Sequence, residues 1–361
     1  MNIGIVGLGL IGGSIARTLK SRQSQTHITV LTRSEEALQA ALADGAADAV
    51  TTDDWTLFVD CDVVFVCVPV HKIVDCAQKL AAVVRPDCVV TDVGSVKAAV
   101  VRDMAALCPS VCFVGGHPMA GSEKSGYAAA VNYLFENAYY ILTPTAQTPD
   151  FAVSRMRALA ENLGALPVVL DAEYHDGVVA AISHGPHVIA AALVNAVCAL
   201  DEKRGDMQAL AAGGFKDITR IASSDGALWQ AICMENRDEV VRFVRAFQAE
   251  TEAFLAAMER GDGDAVCQLF ENAKDYRSGF AGSTRAKYAE SFVVHLDVLD
   301  KPGSIATVAT LLSENGINIK NIGIVHNREY HDGVLQIVLD RAEDRARAVS
   351  LLRAVAFVVY D

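Results

Sequence analysis

The stretch GIVGLGLIGGSIA, which begins at the fourth residue, constrains the fold more than any other because it joins a short apolar strand to a helix through closely spaced glycines. Gly7, Gly9 and Gly12 stand in G-x-G-x-x-G spacing. The first glycine permits a tight turn, the second lets a pyrophosphate approach the backbone, and the third lets the helix pack closely on the strand. The pattern predicts a Rossmann-like α/β domain that binds a dinucleotide, with Leu10 and Ile11 opening the helix at the phosphates.

An alternation of β-branched runs and amphipathic stretches continues to about residue 171. It predicts a doubly wound parallel sheet with helices on both faces, in a dinucleotide-binding domain spanning residues 1–171. The predicted strands are residues 3–6, 28–31, 63–68, 89–91, 112–114 and 138–142.

Two more domains are expected after this one. Strand signals vanish over residues 172–280, where alanine-rich segments with helical spacing predict an all-α domain. Over residues 290–361 the order strand, helix, strand, strand, helix, strand predicts a small ferredoxin-like βαββαβ domain. The alanine-rich helices also suggest a homodimer with an apolar interface.

Composition limits the partners and the compartment. A net charge of −13 argues against binding to nucleic acid or to anionic membrane surfaces, and favours small molecules or other protein chains. The nine cysteines form no CxxC pair, which suits buried thiols in the cytoplasm better than disulfides or a zinc site. We expect no signal peptide because the chain begins with a strand, and polar residues within the apolar run 178–200 favour a buried helix over a membrane span.

The predicted second strand ends without the acid that would hold a ribose 2′-hydroxyl. Thr32, Arg33 and Ser34 stand there instead. A guanidinium and two hydroxyls suit a 2′-phosphate, so the cofactor is NAD or NADP, and a solvated arginine at a strand end is the alternative.

Three other predicted strands end at residues that are candidates for the cofactor or active site: Val68 and Pro69, then Ser95, then His117. In an open parallel sheet these carboxyl ends lie along one edge, beside the dinucleotide crevice. We expect Ser95 and His117 near the nicotinamide, with His117 exposed on the glycine hinge VGGHP. The alternatives are a helix N-cap for Ser95 and a hydrogen-bonded loop histidine for His117.

The helical segment contributes a second polar group. His184 and His187 lie three residues apart and can face the same way if Pro186 only kinks the helix. No carboxylate or cysteine spacing completes a metal site, so none is expected. Arg220 is suited to binding a carboxylate and Asp217 to holding it in place; a surface ion pair is the alternative.

In combination, the motifs GLGLIGGS, TDVGSVK, GGHPMAGSEKSG, SHGPH and FKDITRIASSDGALW resemble the prephenate and arogenate dehydrogenase family of tyrosine biosynthesis, over essentially the entire chain. The tail LDKPGSIATVATLLSENGINI looks like an ACT regulatory domain. The resemblance implies an NAD(P)-dependent oxidative decarboxylation of prephenate to 4-hydroxyphenylpyruvate.

The resemblance also implies roles for individual residues. His117 matches the family's catalytic histidine and Ser95 the serine hydrogen-bonded beside it. The positions that match substrate-contacting or gating residues are His184, His187, Arg220, Glu123, Asp217 and Trp229. Among these, Arg220 would bind a substrate carboxylate, while Glu123 and Asp217 would gate the site and orient that arginine.

By the same resemblance, the tail binds an effector, for which L-tyrosine is the expected candidate, at Pro302, Gly303 and Asn318. A domain that only strengthens the dimer is the alternative. Two other functions stay open: a 3-hydroxyacid dehydrogenase of the 6-phosphogluconate type, and a nucleotide-binding sensor without turnover. Prephenate and arogenate are not distinguished by the sequence.

Overall fold

A computed structural model describes residues 1–122, 124–201, 205–279, 292–299, 301–325, 333–339 and 341–360. The chain divides into two compact units, Met1–Ala256 and Ala257–Asp361. The domain limits expected from the sequence, 1–171, 172–280 and 290–361, remain predictions.

The first unit is built on a sheet of eight described strands. They are β1 (Asn2–Val6), β2 (His27–Leu31), β3 (Ala49–Thr51), β4 (Val63–Val66), β5 (Val89–Asp92), β6 (Cys112–Pro118), β7 (Tyr139–Thr143) and β8 (Leu166–Val169). Their order across the sheet is β3-β2-β1-β4-β5-β6-β7-β8. The order reverses between β1 and β4, as in a Rossmann-like fold, and ligands bind at the carboxyl ends beside such a switch.

The prediction of a doubly wound parallel sheet is wrong at one pair of strands. β7 runs antiparallel to β6, whereas the other neighbouring pairs of this sheet are parallel. Two strands of this sheet, β3 and β8, were not predicted from the sequence. Only three residues form β3, and β8 is an edge strand that contains Pro167, so both give weak strand signals.

Helices cover both faces of the sheet because successive strand residues point to opposite sides. Ile3 and Ile5 are buried with residues of α1 (Leu10–Arg22), α2 (Glu35–Ala43) and α5 (Asp150–Asn162). On the other face, Val64 and Val66 are buried with residues of α3 (Ile73–Ala81) and α4 (Ala98–Leu107). The doubly wound prediction is therefore confirmed.

Between residues 172 and 279 the described chain is helical, as predicted. The helices are α6 (Ala172–Val179), α7 (Gly185–Asp201), α8 (Asp206–Ala209), α9 (Gly213–Thr219), α10 (Gly226–Glu235) and α11 (Arg237–Glu259), followed in the second unit by α12 (Gly263–Ser278).

A π-helical turn, Ala180–His184, joins α6 to α7, so the helix continues through Pro186. Proline lacks an N–H and crowds the carbonyl four residues earlier, and a wider turn relieves both problems. The stretch Ala172–Asp201 is long and apolar enough to cross a membrane, judged by length and composition alone. Of its apolar 18-residue segment, 28% is buried within this chain. The predicted buried helix is thus confirmed only on the side that carries His175 and His184, which are both buried.

The second unit contains a four-stranded antiparallel sheet, in the order β10-β11-β9-β12, among its described residues. Its elements are β9 (Phe292–Val298), α13 (Ser304–Glu314), β10 (Ile319–Val325), β11 (Gly333–Leu339), α14 (Ala342–Ala354) and β12 (Val359–Tyr360). The predicted βαββαβ order is confirmed. One apolar cluster, centred on Leu296 and Leu335 with Leu312 and Leu352, forms its core.

Candidate active site

The glycine-rich turn between β1 and α1 fits a dinucleotide. Gly7 has a φ of +97°, and a Cβ there would lie 2.4 Å from the carbonyl oxygen of Cys67. A Cβ on Gly12 would lie 2.2 Å from the Gly7 carbonyl oxygen, so only glycine allows this close packing. No atom of the described residues lies within 4 Å of a Cβ built on Gly9, which caps α1 without any side-chain hydrogen bond. Open space therefore faces the helix N-terminus, where phosphate charge is favoured.

The turn after β2 is placed as the sequence suggested. Ser34 caps α2, because its Oγ accepts a hydrogen bond from the Ala37 N–H at 3.2 Å. Arg33 is exposed and Thr32 half-buried. Val68 and Pro69 follow β4, and the Val68 side chain lies near Gly7. Contacts of these residues with a cofactor remain a prediction.

A cavity of about 800 Å³ opens beside the carboxyl end of β6. It brings together six of the predicted site residues: Ser95, His117, His184, His187, Arg220 and Trp229. Asp217 is exposed on α9 and is not among the residues that line the cavity. Glu123 lies outside the described residues, although Ser122 and Lys124 line the cavity.

The predicted glycine hinge at His117 is wrong. β6 extends to Pro118, and His117 pairs with Ile141 of β7 as part of the sheet. The preceding glycines serve close packing: a Cβ on Gly116 would lie 2.6 Å from the Asp92 carbonyl oxygen. His117 is half-buried and held by the sheet, so it faces the cavity from a rigid element.

The imidazole of His117 contacts His175, which no sequence motif predicted as a site residue. Its Nδ1 lies 2.8 Å from Nε2 of His175, and the two rings meet edge to face. No hydrogen bond joins His117 to Ser95, which lines the same cavity, so the expected pairing of these two is not observed. Burial, followed by the nearby His175, Lys97 and His184, holds the pKa of His117 well below its usual 6.5. His117 is therefore neutral near pH 7.

His175 is in turn bound to Asp176. Nδ1 of His175 lies 2.8 Å from Oδ1 of Asp176, and both side chains are buried. Asp176 also accepts hydrogen bonds from the backbone N–H groups of Lys97 and Ala98, each at 2.8 Å. An adjacent histidine and aspartate in a helical segment was the available sequence signal, but nothing local indicated what they would contact.

A buried ion pair braces the ends of β5 and β6. The Lys97 ammonium bonds Asp92, and neither side chain is exposed to solvent. Asp92 also accepts hydrogen bonds from the N–H groups of Gly94 and Gly116, at 2.8 and 3.1 Å. Burial lowers the pKa of Lys97, against the opposing effect of Asp92. The pair fixes the segment that carries Ser95.

The two cavity histidines of the helical segment are held differently. Nδ1 of His187 donates to the Ser183 carbonyl at 2.9 Å, and the His187 ring stacks on Trp229 at 3.6 Å between centroids. Nδ1 of His184 accepts from Asn236, whose amide nitrogen also donates to the Asp176 carbonyl. Each bond fixes which ring nitrogen carries the proton.

Burial lowers the pKa of both rings. The pKa of His184 falls to about 4, partly offset by Asp176. The pKa of His187 is also lowered by burial, which the bond to Ser183 opposes. Both histidines are neutral near pH 7 and act as hydrogen-bonding groups there.

Arg220 begins the 3₁₀ turn after α9 and lines the cavity. A guanidinium placed there can bind a carboxylate through paired hydrogen bonds. Within the described ranges, no three His, Cys, Asp or Glu side chains lie close enough together to hold a metal ion. The cavity thus offers neutral imidazoles together with the basic side chains of Arg220 and Lys124, which suits proton transfer from an anionic organic substrate.

Comparison with known proteins identifies relatives along most of the chain. The family model "Prephenate dehydrogenase, nucleotide-binding domain" matches residues 15–169, and "Prephenate dehydrogenase, dimerization domain" matches residues 171–272. A prephenate dehydrogenase from Bacillus subtilis (strain 168) is 37% identical over 352 residues, covering 97% of this chain and 95% of that protein.

Solved structures give the same result. The prephenate dehydrogenase from A. aeolicus, in complex with hydroxyphenyl propionate and NAD+, is 32% identical with a TM-score of 0.73; the match covers 78% of this chain and 98% of that one. The arogenate dehydrogenase from Synechocystis is 30% identical with a TM-score of 0.70, covering 78% of this chain and 100% of that one.

Proposed function

Because this chain belongs to the prephenate dehydrogenase family, we propose that it catalyses the oxidative decarboxylation of prephenate to 4-hydroxyphenylpyruvate, with NAD or NADP as hydride acceptor. The observation that carries the proposal is His117: a neutral imidazole on a rigid strand, facing a cavity that also holds Arg220. The chain is an oxidoreductase with a nucleotide-binding domain, and its glycine turn fits the cofactor.

The proposed reaction converts prephenate dianion and NAD(P)+ into 4-hydroxyphenylpyruvate, CO₂ and NAD(P)H. His117 accepts the proton of the C4 hydroxyl as hydride leaves C4. The nicotinamide, when bound, supplies the acceptor for that hydride. The bond from C1 to the carboxylate then breaks, its electron pair enters the ring, and His117 returns the proton to the oxygen of the new phenol.

Substrate binding is assigned to the other cavity residues. Arg220 pairs with a carboxylate and offsets the repulsion between a dianion and a chain of net charge −13. His184 and His187, kept neutral by burial, supply hydrogen bonds, and Trp229 supports the His187 ring by stacking. Ser95 contributes a hydroxyl at the cavity wall. Roles for Glu123 and Asp217 stay a prediction from family resemblance.

Arogenate is the competing substrate. It carries an amino group where prephenate has a side-chain keto group, and the arogenate dehydrogenase from Synechocystis is 30% identical to this chain. Both substrates present the same hydroxyl to His117 and a carboxylate to Arg220. Substrate choice therefore rests on contacts to the side chain.

The test is an assay of reduced-cofactor absorbance with prephenate, arogenate and a 3-hydroxyacid, each with NAD and with NADP. We expect turnover with prephenate, and a loss of about two to four powers of ten in kcat for His117→Asn. Retained binding of NAD(P) by that variant shows that its fold is intact. Turnover of only the 3-hydroxyacid, or near-normal turnover by His117→Asn, would overturn the proposal.

We also propose a homodimer assembled through the helical segment. The matching family model is described as a dimerization domain, and α7 presents exposed apolar side chains such as Leu193 and Leu200. The cytoplasm is the proposed location, since all nine cysteines are free thiols. Light scattering coupled to size exclusion tests the dimer, and a monomeric mass would contradict it.

Residues 290–361 are further proposed to form an ACT domain that binds L-tyrosine. The βαββαβ order supports this proposal, as do two positive φ angles, +93° at Gly303 and +68° at Gly316, at the ends of α13. Turns of this kind expose backbone amides to a small ligand. Pro302, Gly303 and Asn318 are the proposed binding positions.

A further inference from the structure

A chain of hydrogen bonds leads from His117 away from the cavity into the protein. Nδ1 of His117 lies 2.8 Å from Nε2 of His175, and Nδ1 of His175 lies 2.8 Å from Oδ1 of Asp176. His175 is 1% exposed and Asp176 is 3% exposed. Solvent therefore does not compete for the bond between His175 and Asp176, and both ring nitrogens of His175 have a defined partner.

The donor and the acceptor of each hydrogen bond in this series follow from Asp176, the residue at its inner end. Asp176 accepts the backbone N–H groups of Lys97 and Ala98, one at each carboxylate oxygen. Backbone amides can only donate, so Oδ1 of Asp176 is an acceptor, and His175 carries its proton on Nδ1. When His175 carries its one ring proton on Nδ1, its Nε2 has a free lone pair, and this lone pair accepts a hydrogen bond from Nδ1–H of His117.

We propose that His175, held by Asp176, is a positioning residue that fixes His117 in the Nδ1–H tautomer and leaves Nε2 of His117 as the proton acceptor in the cavity. This proposal rests on the function proposed above. The ring nitrogen that accepts a proton is decided by the bond that the other nitrogen makes. Without His175, part of the population holds the proton on Nε2 and cannot act as a base.

The same arrangement serves the next stage of the reaction. Once His117 has taken the hydroxyl proton, its ring is an imidazolium, and the bond from Nδ1–H to His175 becomes charge-assisted and stronger. His175 keeps its bond from Nδ1 to Asp176 throughout. The chain of bonds therefore stabilises the charged stage without moving a proton along it.

A purely structural role is the competing explanation. Asp176 satisfies two N–H groups at the start of α4, so the pair also ties α6 to α4. Loss of that tie would lower stability and disturb the cavity as a whole. It would not select between ring tautomers, and it would not distinguish substitutes for His175 that differ only in accepting a hydrogen bond.

The kinetic test compares His175→Gln with His175→Leu. Glutamine can place an amide oxygen near the former Nε2 and accept from His117, whereas leucine fills the space and cannot. We expect His175→Leu to lower kcat about 100-fold, with less than about threefold change in KM for prephenate or for the cofactor. We expect the kcat of His175→Gln to be at least about tenfold higher than that of His175→Leu. Equal kcat in the two variants, or a loss expressed mainly in KM, would overturn the proposal.

A spectroscopic test uses the wild-type protein and needs no folded variant of His175. Nitrogen chemical shifts of ¹⁵N-histidine-labelled protein report which ring nitrogen is protonated, and His117→Asn identifies the signals of His117. We expect a protonated Nδ1 and an unprotonated Nε2. A proton on Nε2 of His117, with His175 protonated on both nitrogens, would contradict the proposal.

His27→Ala is the matched control, because His27 is an exposed histidine at the start of β2, outside the cavity. It should keep wild-type kcat. The two proposals fail separately: an active His117→Asn removes the proposed function, whereas an inactive His117→Asn with a fully active His175→Leu removes only the positioning role.

Discussion

At the scale of single residues, the cavity is characterised by histidines whose pKa values the protein lowers, so that they are neutral near pH 7. Desolvation lowers the pKa values of the His117 and His184 imidazoles, while Arg220 brings a guanidinium to the same cavity. In the proposed reaction the basic and the imidazole side chains therefore have separate roles. Arg220 binds the anionic substrate, and the neutral rings exchange or share its protons.

The lowered pKa of His117 predicts the acid side of the pH profile. A general base works when unprotonated, and burial keeps His117 unprotonated well below pH 6.5. We therefore expect kcat/KM for prephenate to stay level as the pH falls through 6.5 and to decline only in more acid solution. A decline centred at 6.5, with stability unchanged by circular dichroism, would contradict the buried state of this base.

Arg220→Ala tests substrate anchoring. Loss of a charge-assisted bond costs about 1.5 to 3 kcal/mol, which corresponds to a rise of roughly 10- to 150-fold in KM for prephenate. Lys216→Ala is the control, because Lys216 is an exposed cation on α9 that does not line the cavity. Equal KM values for the two variants would assign the anchor elsewhere.

Arg33→Ala tests cofactor choice. The guanidinium stands exposed at the end of β2, where a 2′-phosphate would lie, while Ser34 is engaged in capping α2. We expect KM for NADP to rise more than KM for NAD. Equal changes for both cofactors would show that Arg33 is a solvated surface residue. His27→Ala again serves as the control at this strand.

At the scale of elements, close packing depends on glycine where strands and helices converge on the cavity. Gly116 lets β6 pack beside β5, and Gly185 lets the helix after the π turn approach α11. In each case, a side chain would displace the element that carries a cavity histidine. The glycines next to His117 and His184 thus position those rings.

Gly185→Ala tests this packing. A Cβ at residue 185 would lie 2.1 Å from Cδ1 of Phe243 on α11. Overpacking of this kind costs about 1 to 3 kcal/mol, which we expect as a lower free energy of unfolding in urea. The double variant Gly185→Ala with Phe243→Leu should recover part of that loss. No recovery in the double variant would mean that the clash lies elsewhere.

At the scale of the whole molecule, the chain is longer than the solved enzymes it resembles. Those structures match 78% of this chain while 98% and 100% of their own lengths are covered. The chemistry proposed here uses residues of the first unit alone, Met1–Ala256. The regulatory role proposed for residues 290–361 concerns the part of the chain outside that unit.

Truncation after residue 289 tests that role. We expect the shortened enzyme to keep its kcat and to lose inhibition by L-tyrosine, which in the full chain should change substrate affinity by about 5- to 150-fold. Measurement of tyrosine binding with and without substrate should give the same coupling factor. Tyrosine that inhibits both forms equally would be competing at the cavity, and the ACT proposal would fail.

The sequence by itself determined the features that depend on local patterns. G-x-G-x-x-G spacing predicted the turn before α1, strand and helix periodicities predicted the sheet, the helical segment and the βαββαβ order, and single motifs predicted His117 and Arg220. Each signal is contained within a few residues, because the backbone geometry that it reflects is local.

Only the tertiary structure decided what these residues contact. His175 meets His117 across 58 positions of sequence, and Asp176 meets the Lys97 backbone across 79. It also decided that β7 is antiparallel and that His117 belongs to a strand. Such pairings arise when distant elements pack to bury apolar faces, and a buried polar group then bonds whichever partner that packing supplies. The spacing of residues along the sequence does not indicate which partner a buried polar group will bond.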